Sequence, residues 1–299
     1  MGSRECAIGG VLARSRASST APAVVSPRAT PARTAASFAD GTTSTGLLLT
    51  ADGDVLTAGH CCVGPNRQAT IRLPDGRLAD ATTRGVDRSR DLGLLKISTP
   101  GPWPAIDMPA GGDLPRNLIY FGIGYSKGST PGDPPLSFVA DLRRVVRETI
   151  SADLDGQDLC AGSILVDQNG RVVGLLSQRG RFGGNLFTRY LDPATVLPRL
   201  RAGESWGEWP AGLEPRWGAT TVETESGCRI ESIDSDSAAA AANLKPGDVV
   251  QKVQQQAVSK PRNIDALLRG LDPGTEITLS VLRQGKTFDQ KVRLSPARP

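Results

Sequence analysis

Histidine is almost missing from this chain: its 299 residues contain one, His60. A single imidazole, with no Cys-x-x-Cys pair to accompany it, argues against a zinc site. Aromatic residues are also few, with 4 Trp, 3 Tyr and 6 Phe, against 34 Gly and 22 Pro. That balance favours many short strands and turns over long helices. No run of about 18 apolar residues occurs, so nothing in the sequence reads as a bilayer-spanning helix. The formal charge is only +4. Basic and acidic residues are interleaved outside an arginine-rich start, which gives no reason to invoke nucleic acid or an anionic membrane surface. No cofactor is expected. The five cysteines are Cys6, Cys61, Cys62, Cys160 and Cys228. An odd number leaves at least one unpaired within a monomer, and the adjacent Cys61 and Cys62 are not expected to bond each other. Met1-Gly2-Ser3-Arg4-Glu5 lacks the apolar core of a signal peptide and reads as a vector remnant ahead of a trimmed start.

What is present falls into two folded parts. Residues 1–36 are rich in Ala, Ser, Thr, Pro and Arg and read as a mostly disordered leader, with one short strand at Ala23-Val24-Val25. From 37 to 201 strand-like runs alternate with turn residues. Gly46 to Thr50 and Val55 to Ala58 flank Ala51-Asp52-Gly53-Asp54, and Ala69 to Leu73 and Arg77 to Ala79 flank Pro74-Asp75-Gly76. Leu92 to Ile97, Leu118 to Gly122, Leu136 to Ile150, Ile164 to Val166 and Val172 to Leu176 continue the series, and Pro193 to Arg201 reads as a terminal helix. The spacing predicts one or two antiparallel barrels. Residues 202–213 carry Gly, Glu, Trp and Pro and read as a linker. A smaller α+β domain, 214–297, follows. It has strands at 220–222, 228–230 and 249–253, an alanine-rich helix from Ser235 to Leu244, and a helix from Asn263 to Leu271. A hairpin across Arg283-Gln284-Gly285-Lys286 ends it.

Three short segments carry the chemistry. Thr57-Ala58-Gly59-His60-Cys61 ends a hairpin. Arg90-Asp91-Leu92-Gly93 opens an apolar strand. Leu159-Cys160-Ala161-Gly162-Ser163 lies further on. The order is base, carboxylate, nucleophile position, as in chymotrypsin-like enzymes. Ala161 stands at the nucleophile position, so the group that His60 would activate is missing.

Residues 41 to 297 together resemble proteases of the HtrA, or Deg, family. Ser44-Thr45-Gly46 through Ala51-Asp52-Gly53 to His60 resembles the hairpin leading to the catalytic histidine, and Asp87-Arg88-Ser89-Arg90-Asp91-Leu92 the catalytic aspartate motif. Asp153 through Val166, then Asn169 to Gly174, lines up with the nucleophile loop and the next strand. The resemblance implies a mainly β fold: a chymotrypsin-like double β-barrel followed by a PDZ domain. The second half carries Gly227-Cys228-Arg229-Ile230 and Leu244-Lys245-Pro246-Gly247-Asp248-Val249-Val250, which resemble PDZ motifs. It implies peptide or unfolded-protein partners, an extracytoplasmic setting such as the periplasm, and a homotrimer built from the protease domains.

The family pattern at the nucleophile loop is Gly-Asn-Ser-Gly-Gly-Pro, and here only Gly162 is kept. The resemblance makes the backbone N–H groups of Leu159 and Ala161 the oxyanion hole, and a glycine at the first would allow a turn that a Cβ opposes. Two readings stay open: a serine endopeptidase inactivated at Ala161, or a natural pseudoprotease. The several neighbouring departures favour the second. A third, nucleophilic attack by Cys160, is disfavoured because its side chain is one residue out of register. Ser177 resembles the start of the segment that pairs with substrate backbone. Asp155 lies near the base of the specificity pocket, or is an exposed loop acid. Trp217-Gly218-Ala219 resembles the PDZ loop that receives a peptide's C-terminal carboxylate. Leu267 and Leu268 line the side-chain pocket or belong to the core.

Overall fold

The computed structural model describes residues 33–295 except 39–42, 65, 74, 107–113, 116–117, 127–132, 155–158, 180–183, 190–192 and 211. The strand expected at Ala23-Val24-Val25, most of the leader, Cys6 and Asp155 lie outside the described residues.

The first unit is built from β1 (Arg33–Phe38), β2 (Thr43–Leu48), β3 (Asp54–Ala58), β4 (Gln68–Arg72), β5 (Leu78–Asp87) and β6 (Leu92–Ile97). Their order is β5-β4-β1-β2-β3-β6, and β5 also pairs with β6, so the sheet closes on itself. The second unit contains β7 (Tyr120–Gly124), β8 (Leu136–Val146), β9 (Thr149–Leu154), β10 (Ile164–Asp167), β11 (Val172–Arg179) and β12 (Asn185–Arg189). These form a second closed barrel.

Strand side chains alternate between faces, and here both faces are often covered. Leu48, Val55, Leu95 and Ile97 fill the first barrel. Leu47, Leu56, Leu92 and Leu94 point the other way and pack between the barrels with Ile123, Ile164 and Leu175. Leu165, Val173 and Leu176 turn inward to Tyr120, Ile150 and Phe187 in the second barrel. Two-sided burial is why Leu92 to Ile97 and Ile164 to Val166 read as unbroken apolar runs. The helix α1 (Pro193–Arg201) adds Val196 and Leu200 to the layer between the barrels.

A two-residue strand, β13 (Ser205–Trp206), lies parallel to β5. The C-terminal unit then has β14 (Ala219–Thr224), β15 (Gly227–Ile233), α2 (Ala238–Ala241), β16 (Val249–Val253), β17 (Gln256–Ala257), α3 (Pro261–Arg269), β18 (Glu276–Arg283) and β19 (Lys286–Arg293). The sheet order is β14-β15-β16-β18-β19, which leaves β14 as an edge strand, with α3 packed beside it.

Four elements differ from expectation. β1 begins at Arg33, inside the stretch read as a leader: Thr34, Ala36 and Phe38 point inward, but small Ala, Ser and Thr residues hide the alternation. The helix expected over 235–244 is shortened to α2. Ser237 caps it by accepting a bond from the Ala240 amide, and Asn243, at φ 55°, turns the chain away. β12 and β13 carry no strong apolar pattern and form through pairing with β11 and β5.

Asp248 holds the C-terminal unit together. Its carboxylate is 1% exposed and accepts bonds from Arg283 Nε at 2.6 Å and Nη2 at 2.7 Å, and from the Lys245 amide at 2.8 Å. Burial alone would raise its pKa, but these donors outweigh burial and hold the carboxyl below its ordinary range. A depressed folded value contributes stability above the unfolded value, about 3.9, and loses it as pH falls through the folded value. Asp248→Asn should cost about 3 kcal/mol at neutral pH, because it leaves half of a buried pair behind. Urea unfolding from pH 7 down to acid should show that penalty shrinking. A pH-independent penalty would mean the effect is packing alone.

Candidate functional site

The site forms where the barrels meet. A single 3-10 turn, Gly59–Cys61, ends β3 and presents His60. Asp91 stands just before β6 at φ 52°, a left-handed conformation that a short polar residue tolerates. Its carboxylate is 1% exposed. Its Oδ1 accepts the His60 backbone N–H at 2.8 Å, and His60 Nδ1 lies 2.9 Å from Oδ2 and 3.1 Å from Oδ1. Ser177, on β11 of the other barrel, donates its hydroxyl to Oδ2 at 2.6 Å. The sequence reading placed Ser177 in the substrate-pairing segment and missed this bond. No local pattern signals it, because 86 residues separate the partners.

Around His60 two effects compete. Burial would lower the imidazole pKa; the Asp91 carboxylate and the neighbouring Cys61 thiol outweigh it and hold His60 well above its ordinary 6.5. The ring keeps 23% of its side-chain surface exposed. A base oriented by a carboxylate is therefore in place.

The loop from Leu159 to Ser163 carries no hydroxyl at position 161. Ala161 is partly buried, and its carbonyl accepts the Thr45 N–H at 2.8 Å. Gly162, at φ 83°, is required: a Cβ there would strike the Thr45 carbonyl oxygen and the Thr57 hydroxyl. It is the only described residue from 159 to 163 with positive φ. Leu159 is 4% exposed and sits in the apolar cluster of the second barrel with Leu154, Leu176 and Phe187. Its side chain thus ties the loop into the barrel core, where a glycine would leave it free. The Cys160 N–H donates to Tyr125 O at 2.7 Å, and the Gly162 N–H to Leu176 O at 2.7 Å. Ser163 is fully buried, and its hydroxyl donates to Cys160 O at 2.6 Å, so it cannot face a substrate. Cys61, Cys62, Cys160 and Cys228 are buried and in no disulfide among the described residues. The thiol that bears on the His60 ring is Cys61.

In the C-terminal unit Gly218, at φ 77°, faces Ser237 so closely that a Cβ would collide with it. The Trp217 carbonyl accepts the Ala239 N–H at 2.7 Å, the Gly218 carbonyl accepts the Asp234 N–H at 2.9 Å, and Ala219 opens β14 opposite Ile233. Trp217 itself is buried in the domain core. On α3, Leu268 is 3% exposed and belongs to that core, whereas Leu267 is half-buried at its margin. The open edge of β14 beside α3 has the geometry of a strand-addition groove.

The trypsin-like peptidase domain family matches residues 44–175, and the PDZ domain family matches residues 215–294. The chain has the fold of a trypsin-like peptidase domain followed by that of a PDZ domain. Among curated relatives, it is 27% identical over 283 residues to the probable periplasmic serine protease do/HhoA-like of Haemophilus influenzae, covering 83% of this chain and 57% of the relative. It is 26% identical over 270 residues to the periplasmic serine endoprotease DegP of Escherichia coli K12, covering 83% and 56%. The chain therefore spans little more than half the length of these relatives. Among solved structures, the serine endoprotease from Yersinia pestis superposes with a TM-score of 0.51 at 19% identity, over 91% of this chain and 96% of that one. The HtrA-type protease AlgW with a tripeptide gives 0.50 at 20% identity, over 92% and 97%. These likenesses show the fold, and the two domains in this order, with these relatives, support the HtrA family.

Because the peptidase domain holds the only imidazole, its titration is directly readable. A raised folded value gives stability that is fully present below the unfolded value near 6.5 and is lost as pH rises through the folded value. One NMR titration should place the His60 midpoint well above that of a free histidine. The stability penalty of His60→Gln should be largest below about pH 6.5 and fade at higher pH. A midpoint at or below 6.5 would mean that burial outweighs Asp91.

Proposed function

We propose that this chain is an HtrA-type protein that does not hydrolyse peptide bonds and that binds extended peptides or unfolded chains, through its PDZ groove and its peptidase cleft. The observation that carries this reading is the hydrogen-bonded His60–Asp91–Ser177 set beside a loop whose Ala161, packed against the same apolar cluster as Cys61, has no hydroxyl to activate. Leu159 supports it, since its burial commits the oxyanion loop to packing. The curated relatives are described as periplasmic, and we place this chain in an extracytoplasmic compartment on that likeness. A trimer assembled through the peptidase domains belongs to the same reading and is measurable by sedimentation.

The second reading is an endopeptidase in which alanine stands in place of a serine nucleophile, and the ordered His60–Asp91 pair is what favours it. Casein hydrolysis separates the two. The chain itself should show no turnover. Ala161→Ser alone should restore little, because one missing oxyanion donor already costs on the order of 10²–10³ in rate. Ala161→Ser with Leu159→Gly should do better, yet lose about 2–5 kcal/mol of stability, since a buried leucine is deleted. Robust activity from the single change would establish the endopeptidase reading.

For the PDZ groove, we expect an apolar-ended peptide to bind in the micromolar range, about −8 kcal/mol, largely by main-chain pairing to β14. Amidating its terminus should weaken binding, because the loop at Trp217, Gly218 and Ala219 would lose an anionic acceptor. Calorimetry with both peptides decides it: equal affinities would rule out carboxylate capture.

A further inference from the structure

The side chains of β14 sort by face. Directly opposed residues of paired strands put their side chains on the same face of a sheet. Thr221 is opposed to Ile230 and Glu223 to Cys228, and both partners are fully buried in the domain core. Thr221 and Glu223 therefore project to the core side of the sheet, where α3 packs, although Glu223 keeps 56% of its side-chain surface exposed at the open end. The Cys228 thiol registers the closeness: burial first, and then the Glu223 charge, pushes its pKa up. Val222 is opposed to the exposed Arg229 and projects to the other side.

The helix meets that carboxylate at its own start. Lys260 Nζ lies 3.6 Å from Glu223 Oε1. Lys260 is the N-cap of α3, but the cap bond runs from its backbone N–H to Asn263 Oδ1 at 3.0 Å, so the ammonium is not needed to start the helix. A helix N-terminus favours negative charge, and the first turn of α3 carries no acidic residue. The counter-charge for Lys260 comes instead from the strand, at the end of β14 remote from Trp217, Gly218 and Ala219. Glu223 stands four residues beyond Ala219 on β14, about 13 Å along an extended chain. A peptide that runs antiparallel to β14 with its terminal residue opposite Ala219 places its fifth residue, counted from the carboxylate, opposite Glu223. That side chain then shares the face of Glu223 and lies between β14 and α3.

We infer that Glu223 is a second specificity point of the PDZ groove and that Lys260 stands in for a basic ligand side chain: a C-terminal peptide with lysine or arginine as the fifth residue from its carboxylate displaces Lys260 and pairs with Glu223. The inference rests on the reading of β14 and α3 as a groove for a carboxylate-ended peptide. A ligand glutamate at the same place would gain from Lys260 and the helix N-terminus. It would also lie directly across from Glu223, and like charges directly opposed on neighbouring strands repel. The strand fixes Glu223 beside the peptide, whereas Lys260 reaches over on a flexible four-carbon stem and can swing out to water. The fixed charge decides the preference.

Calorimetry on the full chain tests it, with one apolar-ended, free-acid peptide in three versions that carry lysine, alanine or glutamate at the fifth position. The lysine version should bind roughly two- to fivefold tighter than the alanine version, the scale of exposed charge pairs, and the glutamate version should bind more weakly than either. Lys260→Ala should widen the lysine preference, because the internal competitor is gone and the backbone cap stays. Glu223→Lys should invert the order. Both side chains are about half exposed, so both variants should melt as the wild type does. Equal affinities for the three versions, a glutamate preference in the wild type, or a lysine preference that survives Glu223→Lys would each overturn the inference and leave the groove in place. No binding by any version would sink the groove reading, and this inference with it.

Discussion

One buried carboxylate sets the arrangement of the peptidase domain. Asp91 is almost without solvent, and its carboxylate oxygens take their hydrogen bonds from protein donors in place of the water they give up. These donors come from separate places: the His60 amide and ring at the end of β3, and the Ser177 hydroxyl from the second barrel. Removing any of them would leave charge poorly compensated in an apolar layer between barrels, a loss that usually exceeds what the pair contributes. The His60–Asp91 geometry is therefore self-sustaining. It needs no hydroxyl at position 161 to persist, so its presence is not in itself a sign of catalysis.

The loop that carries Asp91 also ties the chain's parts together. Arg90 reaches Asp87 within the loop at 2.8 Å and Glu148 of the second barrel at 2.6 Å. Arg88 makes a two-point contact with Asp272 of the PDZ domain at 2.8 and 3.0 Å. Such partly exposed pairs contribute modestly one by one. Their value lies in direction: successive side chains of one loop orient a histidine, a barrel and a second domain. The Trp206 carbonyl, bonded to the Arg88 amide, joins the interdomain segment to the same loop.

Most of the fold was legible because both of its signals are local. Asp-Gly turns between apolar runs marked the hairpins, and two-sided burial made the inter-barrel strands stand out. His60 and Asp91 were legible through their motif and register. Other features were hidden for physical reasons. β1 is built from Ala, Ser and Thr, which pack well at a barrel wall yet resemble low-complexity sequence. α2 is shorter than its alanine content suggests, because Ser237 caps it and Asn243 turns out of it. The Ser177–Asp91 bond, the core position of Leu268 and the burial of Trp209 and Leu213 arise from residues far apart in the chain. Composition reads a Gly-Trp-Pro segment as a linker. Only the surface it meets decides whether it is one.

The nucleophile loop separates constraints of packing from constraints of chemistry. Gly162 is the one residue retained from the family pattern, and it is the one whose replacement is sterically forbidden: any side chain would meet the Thr45 carbonyl whether or not a bond is ever cleaved. On the family resemblance a glycine at position 159 would serve oxyanion geometry, whereas Leu159 has a place in the barrel core with Leu154 and Phe187. Ser163 and Cys160 are likewise buried and bonded inward. On the proposed reading, the loop has exchanged a conformation suited to a developing negative charge for one suited to burial. Sites that give up strained catalytic geometry commonly gain stability. A change made only to silence the enzyme would remove the hydroxyl and leave its neighbours as they were. Here the departures follow the packing, which is what favours the proposed reading of the loop over interrupted chemistry.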